Sequence, residues 1–123
     1  MLRLFWLIAF SCLISCTPSD PLADKPKIPS DSIISEDQMV LMLADIHLAD
    51  AGLLIKRNRG EKTDKLATKY YEGIFQKYHI SADRYQMNLD YYRQDFEVLE
   101  KLYEKVVVEL KAREQAYVKP RLH

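Results

Sequence analysis

The sequence EVLEKLYEKVVVELK, residues 97–111, carries the clearest helical pattern in this chain. Apolar residues recur there every three or four positions, at Leu99, Leu102, Tyr103, Val106 and Leu110. Charged residues fill the other faces, so the pattern is typical of an amphipathic α-helix with one packed side. We predict that this helix ends by Val118, because Pro120 cannot continue it.

The stretch from Ser30 to Lys119 contains no proline, which favours helices throughout. Ser35 and Gln38 have the spacing of a capping box, so a first helix is expected to start there and to end near Arg57. A helical wheel gives it a broad apolar stripe of Met39, Met42, Leu43, Ile46, Ala49, Leu53 and Leu54. Asp45 and Leu48 point away from this stripe.

A second helix is predicted over residues 63–78, with Gly73 near the centre of its apolar face, where it would let another helix approach closely. Ser81 is a suitable cap for a third helix. Asp95 either caps a fourth helix or lies at a kink in the third, and we prefer a break near Gln94–Asp95.

No segment alternates apolar and polar residues with a period of two, so the predicted fold class is all-α. We expect a small bundle of three to four helices over residues 33–118. It lies behind a cleaved signal peptide, residues 1–15, and a proline-rich tether, residues 16–32. Residues 119–123 form a short tail.

The first residues have the layout of a secretory signal: a positive charge at Arg3, an apolar run, and a small residue, Ser15, before Cys16. The sequence Leu13-Ile14-Ser15-Cys16 resembles the bacterial lipobox. This resemblance implies cleavage between Ser15 and Cys16 and lipid attachment to the Cys16 thiol. The apolar run is shorter than the ~20 residues of a transmembrane helix, which is the less favoured alternative, as is a pair of ordinary buried thiols.

The charges of the chain are balanced. The chain has 18 Lys and Arg against 18 Asp and Glu, and the charges are interspersed, which argues against nucleic-acid binding.

The distribution of proline separates the tether from the domain. Four of the five prolines lie between Pro18 and Pro29, which favours an extended tether. The alternative is that this segment packs along the domain through Ile28, Ile33 and Ile34.

The sequence contains no nucleophile elbow, phosphate loop or zinc-ligand spacing, so we predict a non-enzymatic protein without a metal or small-molecule substrate. The covalent lipid on Cys16 is the only prosthetic group expected. One polar cluster stands out on the first helix, where Asp50 falls within the apolar stripe and His47 at its edge. We predict a polar network in which a tyrosine hydroxyl or Arg93 satisfies Asp50, with a binding contact, or a catalytic or metal site, as alternatives.

The eight tyrosines all lie between Tyr70 and Tyr117. In each of the pairs 70–71 and 91–92, the two rings point to adjacent helix faces, so one ring is expected near the surface. Tyr71 and Tyr91 are therefore a candidate interaction surface, since exposed tyrosine is favoured at interfaces. The alternative is that most of these rings form the edges of the core.

Three blocks occur in order along the chain: Ile34–Asp50, Phe75–Ser81, and Tyr91-Tyr92 followed by LEKLYEKV at residues 99–106. Together they resemble a family of short Bacteroidota lipoproteins that carry the domain of unknown function 4296. Two features depart from the family pattern: His79 stands where a glycine is expected, and no Asn-Pro break precedes the fourth helix. The resemblance implies lipid anchoring, a cell-envelope location and an unassigned function, and it brings no catalytic residues.

These features predict a helical lipoprotein anchored in the outer membrane, facing the periplasm, that acts through contacts with an envelope protein partner. The alternative is a periplasmic chaperone-like holder of unfolded envelope proteins, because residues 81–110 loosely resemble peptide-binding helices at the level of fold. An adaptor is expected to bind one partner with defined stoichiometry, whereas a holder binds many extended apolar chains.

Overall fold

The computed structural model describes residues 28–118, which contain four α-helices, one short 3-10 helix and no β-strand. The 3-10 helix spans Ser30–Ser32, and the α-helices are α1 (Glu36–Asn58), α2 (Asp64–Tyr78), α3 (Ala82–Arg93) and α4 (Phe96–Val118). The predicted all-α class is confirmed. The predicted signal peptide with Ser15, the lipidation site Cys16, most of the tether and the tail at residues 119–123 lie outside the described residues.

Side-chain caps define where three of the helices begin. Ser35 and Ser81 each accept a hydrogen bond from the backbone amide three residues later, at 3.3 and 3.2 Å. Asp95 Oδ1 accepts from two amides in the first turn of α4, at 3.0 and 3.2 Å. Such bonds satisfy amides that have no partner within the helix. The break between α3 and α4 at residues 94–95 is therefore confirmed.

His79 ends α2 in the left-handed conformation, with φ of 54°. Glycine is the usual residue at this position because it has no Cβ to clash. The turn is held by two backbone bonds, from the His79 amide to Gln76 O (3.2 Å) and from the Ile80 amide to Phe75 O (3.0 Å). The turn after α2 is thus formed without the expected glycine.

Helix α1 lies between α2 and α4 and packs against both. It is antiparallel to α2, since Asp45 contacts Tyr78 while Asp50, further along, contacts Tyr71. It runs in the same direction as α4, because Glu36 pairs with Lys105 and Asp45 pairs with Arg113. The core is built from α1, α3, α4 and the segments that flank them; its most buried members include Ile34, Met39, Met42, Leu43, Leu89, Leu102 and Val106.

Two expectations about packing are wrong. Leu54, assigned to the apolar stripe of α1, is 53% exposed, whereas its neighbour Leu53 is buried, so only one of the two adjacent leucines faces the core. Gly73 is exposed, and a Cβ built there would meet no atom within 4 Å. The glycine therefore does not admit a neighbouring helix.

The described end of the predicted tether is attached to the domain. Ser32 O accepts hydrogen bonds from Arg84 Nε (3.1 Å) and Asn88 Nδ2 (3.1 Å). Asn88 Oδ1 accepts from the Ile34 amide (2.7 Å), and the Tyr92 hydroxyl donates to Ile34 O (2.8 Å). These bonds from α3 hold the chain that leads into α1, so the packed part of the protein includes residues 30–32.

Candidate functional site

Helix α1 has two apolar faces. One is the core face, which contains Met39, Met42, Leu43 and Leu53. The other, which we call the outer face of α1, comprises positions spaced four and three residues apart: Leu41, Asp45, Leu48, Gly52 and Ile55. Residues at that spacing lie on one side of a helix. The three large apolar side chains of the outer face are 38, 51 and 52% exposed.

Asp45 is the polar centre of the outer face. Its Oδ2 accepts hydrogen bonds from Lys77 Nζ and from the Tyr78 hydroxyl, both at 2.7 Å. Its Oδ1 accepts from Arg113 Nη1 at 2.5 Å. One carboxylate thereby links α1 to α2 on one side and to α4 on the other.

The electrostatics of Asp45 follow from these contacts. Burial favours the neutral acid and by itself would raise the pKa of Asp45. The hydrogen bonds from Lys77, Tyr78 and Arg113 together outweigh burial, so the pKa lies below its usual value. Arg113 also donates to Glu109 through Nε at 2.7 Å, which places the guanidinium between two carboxylates. The Asp45 carboxylate is therefore charged at neutral pH, and both of its oxygens accept hydrogen bonds.

Sequence reasoning missed this cluster, although it correctly placed Asp45 away from the core. A helical wheel shows only that Asp45 and Leu48 leave the core face. It does not show that long cationic side chains from two other helices reach over α1. The one available signal was Asp45 itself, a single acid in a row with Leu41 and Leu48.

Asp50 and His47 contact different partners. Asp50 accepts a hydrogen bond from the Tyr71 hydroxyl. That bond, followed by burial, raises the pKa of Tyr71. The His47 ring instead lies against Tyr103, with 5.9 Å between ring centroids. Within residues 28–118 no hydrogen bond joins His47 to Asp50, and Arg93 pairs with Asp90 on its own helix.

The two candidate surface tyrosines differ in their surroundings. Tyr71 is half-buried, and its hydroxyl is bonded to Asp50. Tyr91 is 38% exposed and packs edge-on against Tyr92, with ring centroids 5.5 Å apart. Tyr91 therefore keeps more surface for another molecule than Tyr71 does.

Two grooves separate α1 from α4. The first, of about 470 Å³, is lined on α1 by Asp37, Val40 and Leu41 and on α4 by Glu104, Lys105, Val108 and Glu109. We call it the Leu41 groove. The second, of about 590 Å³, is lined on α1 by His47, Leu48 and Ala51 and on α4 by Leu110, Arg113, Glu114 and Tyr117. We call it the Leu48 groove. Both are mainly apolar with charged edges, so an apolar side chain or the apolar face of a helix can fit them.

Leu48 also borders a third depression, of about 380 Å³, between α1 and α2. It contains Asp45, Ala49 and Gly52 with Tyr70 and Ile74. The outer face of α1 is thus flanked by depressions toward both neighbouring helices. Small residues at its C-terminal half leave the backbone of α1 close to the surface.

Among residues 28–118, no group of three or more His, Cys, Asp or Glu side chains is placed to hold a metal ion. By length and composition alone, the stretch Ser30–Asn58 is apolar enough to cross a membrane. The core helix of a folded domain passes the same test, and α1 carries the core residues Met39, Met42 and Leu43. Helix α1 is also apolar on its outer face, where Leu41, Leu48 and Ile55 are exposed.

Residues 30–116 match the profile of a protein family described as "Domain of unknown function (DUF4296)". No curated protein and no solved structure matches the chain. The match begins at the short 3-10 helix and ends two residues before the end of α4, so it covers nearly all of the described bundle.

Proposed function

The chain belongs to the DUF4296 family, and we propose that it is a lipid-anchored accessory protein of the cell envelope that acts by binding another protein. In this proposal Cys16 carries the lipid, the anchor lies in the outer membrane, and the helical domain faces the periplasm. The protein has no catalytic role, and its bacterial source is a member of the Bacteroidota.

The observation that carries the proposal is the outer face of α1. Leu41, Leu48 and Ile55 are exposed in one row on the central helix of the bundle. Exposed apolar rows bordered by charged residues are typical of protein-binding surfaces. These side chains are already about half covered, so burying the rest of each against a partner contributes about 1 kcal/mol per side chain, before the entropic cost of association.

The use of the polar side chains supports a binding role. Asp45 lies on the outer face, and Asp50 lies at the edge of the core face. Each is hydrogen-bonded to side chains of other helices. Groups held in this way fix the relative position of α1, α2 and α4. They stabilise a surface of defined shape, which a stoichiometric binding partner requires.

The anchor is tested separately from the binding role. Cells that express the tagged full-length chain are labelled with radioactive palmitate. We expect the label on the wild-type protein and on Cys12→Ala, which leaves the lipobox cysteine in place. Loss of label in Cys16→Ala supports the anchor, and label retained in Cys16→Ala contradicts it.

The binding role is tested by cross-linking and purification of the same full-length protein from its own cells. We expect one partner in stoichiometric amount, lost or strongly reduced in Cys16→Ala because the anchor places the domain beside it. Recovery of a broad set of unfolded outer-membrane proteins supports the chaperone-like holder instead. Recovery of no protein contradicts both.

A further inference from the structure

Helix α1 is covered by the rest of the domain on its core face but not on its outer face. A helix that is apolar on all sides is normally buried on all sides. The core face of α1 is covered, yet Leu41, Leu48 and Ile55 on the outer face are 38, 51 and 52% exposed. These three residues are spaced by seven, the repeat of a coiled-coil seam, and they extend over about 21 Å of helix. A partner helix of about four turns matches this length.

The shape of the surface also fits a helix. A row of apolar side chains on α1 is flanked by the Leu41 groove and the Leu48 groove, which receive side chains from a second helix. Val108 lines the first groove and Leu110 the second. Apolar residues at i, i+3/i+4 and i+7 of a partner have the spacing to enter these depressions.

The charges select the partner. The two cations at the groove edges are committed within the domain: Lys105 to Glu36, and Arg113 to Asp45 and Glu109. Three acidic groove residues are in no ion pair within residues 28–118: Asp37 and Glu104 at the Leu41 groove and Glu114 at the Leu48 groove. The edges of these two grooves therefore carry more acidic than basic side chains.

This charge disfavours two other occupants. A second copy of the chain, docked symmetrically, brings the same acidic edge against itself. A membrane surface rich in anionic lipid is repelled for the same reason. A helix with Lys or Arg beside its apolar face gains favourable contacts at each position.

We propose that the outer face of α1, with the Leu41 and Leu48 grooves, binds an amphipathic helix of a partner protein whose apolar face is flanked by Lys and Arg. This inference rests on the proposed function and specifies its partner. The basic side chains pair with Asp37, Glu104 and Glu114, and the apolar side chains cover Leu41, Leu48 and Ile55.

The test is site-specific photo-cross-linking of the full-length chain in its own cells. A photoreactive amino acid replaces Leu48 in one variant and Leu54 in the other. Leu54 is a matched control because it is 53% exposed on the same helix and lines neither groove. We expect a cross-link from position 48 to one protein, mapped by mass spectrometry to a segment with apolar residues at helical spacing and flanking Lys or Arg, and little from position 54.

Charge reversal then tests the acidic edge. We expect Glu104→Lys and Glu114→Lys each to lower the position-48 cross-link about threefold, an effect in the range of single surface ion pairs. Glu72→Lys on α2 is the control and leaves the yield unchanged.

The inference is overturned if the cross-linked segment has no basic residues, or if position 48 forms an adduct to lipid or to a second copy of the chain. It is also overturned if positions 48 and 54 give equal cross-link yields, or if charge reversal does not change the yield. If a stoichiometric partner is purified but position 48 does not contact it, the inference fails while the proposed function stands. If no partner is purified and position 48 gives no cross-link, both fail.

Discussion

Asp45 and Arg113 are separated by 68 positions in the sequence, and their side chains form an ion pair of 2.5 Å across the outer face of α1. The Asp45 side chain is only 14% exposed. A partly buried charge is tolerated only when its partners compensate for lost hydration, and here Lys77, Tyr78 and Arg113 do so. This pair therefore ties the first helix to the last.

We expect Asp45→Ala to lower the free energy of unfolding by about 2 kcal/mol, because it removes three hydrogen bonds and leaves Arg113 with one partner fewer. Asp90→Ala is the control, since Asp90 forms an exposed pair with Arg93 on the same helix and is expected to cost less than about 0.5 kcal/mol. Urea denaturation followed by circular dichroism measures both. Equal losses in the two variants contradict the central role of Asp45.

The contribution of Asp45 depends on pH in a defined direction. Its pKa is lower in the folded protein than the ordinary value of 3.8. A lowered pKa gives stability that is fully present well above pH 3.8 and is lost as the pH falls through the folded-state pKa. The stability difference between wild type and Asp45→Asn should therefore be constant from about pH 8 to pH 5 and shrink below pH 3.8. A difference that grows as the pH falls contradicts the assignment.

Asn88 is fully buried and connects α3 to the chain before α1. We expect Asn88→Ala to cost about 3 kcal/mol, because the Ile34 amide and Ser32 carbonyl both lose a partner in a site with little access to water. Gln86→Ala, an exposed change on the same helix, should cost less than about 0.5 kcal/mol. Thermal unfolding of the two variants distinguishes them, and a neutral Asn88→Ala rules out this attachment.

Gly73 and Gly60 are expected to respond in opposite directions to alanine. Gly73 lies inside α2 with open space around it, so Gly73→Ala should stabilise the protein by about 1 kcal/mol. Gly60 has a φ of +79°, where a Cβ causes strain, so Gly60→Ala should destabilise by about 1 kcal/mol. Loss of stability in Gly73→Ala would indicate a close neighbour that the fold does not contain.

Tyr71→Phe isolates the hydrogen bond to Asp50. We expect a loss of about 1 kcal/mol, since the bond is to a charged group but water can partly replace it at this half-buried position. Tyr70→Phe, the neighbouring and exposed ring, should change stability by a few tenths of a kcal/mol at most. A double variant that combines Tyr71→Phe with Asp50→Ala should lose no more than Asp50→Ala alone.

Local signals in the sequence were sufficient to predict the helices. The caps at Ser35, Ser81 and Asp95 act within one helical turn, and the apolar spacing of α4 is set by the same few residues that pack it. For this reason the predicted helix starts agree with the structure, which has four α-helices where the sequence left three or four open. The predicted end of α2 at Tyr78 also agrees with the structure. The left-handed conformation of His79 was not predicted, because two backbone hydrogen bonds of the turn hold it there against the residue's own preference.

The polar contacts were decided by the tertiary structure. The sequence alone placed Asp45 off the core face and Asp50 within the apolar stripe, since that follows from helical periodicity. Which side chains bind them depends on how α2 and α4 pack against α1. These partners lie 21 to 68 positions away in the sequence, so the residues around Asp45 and Asp50 do not predict them. The same holds for the outer face of α1. Its apolar row is visible in the sequence. Its exposure is decided by the tertiary structure, because α2 and α4 pack against other sides of α1 and no further helix of the described domain covers this row.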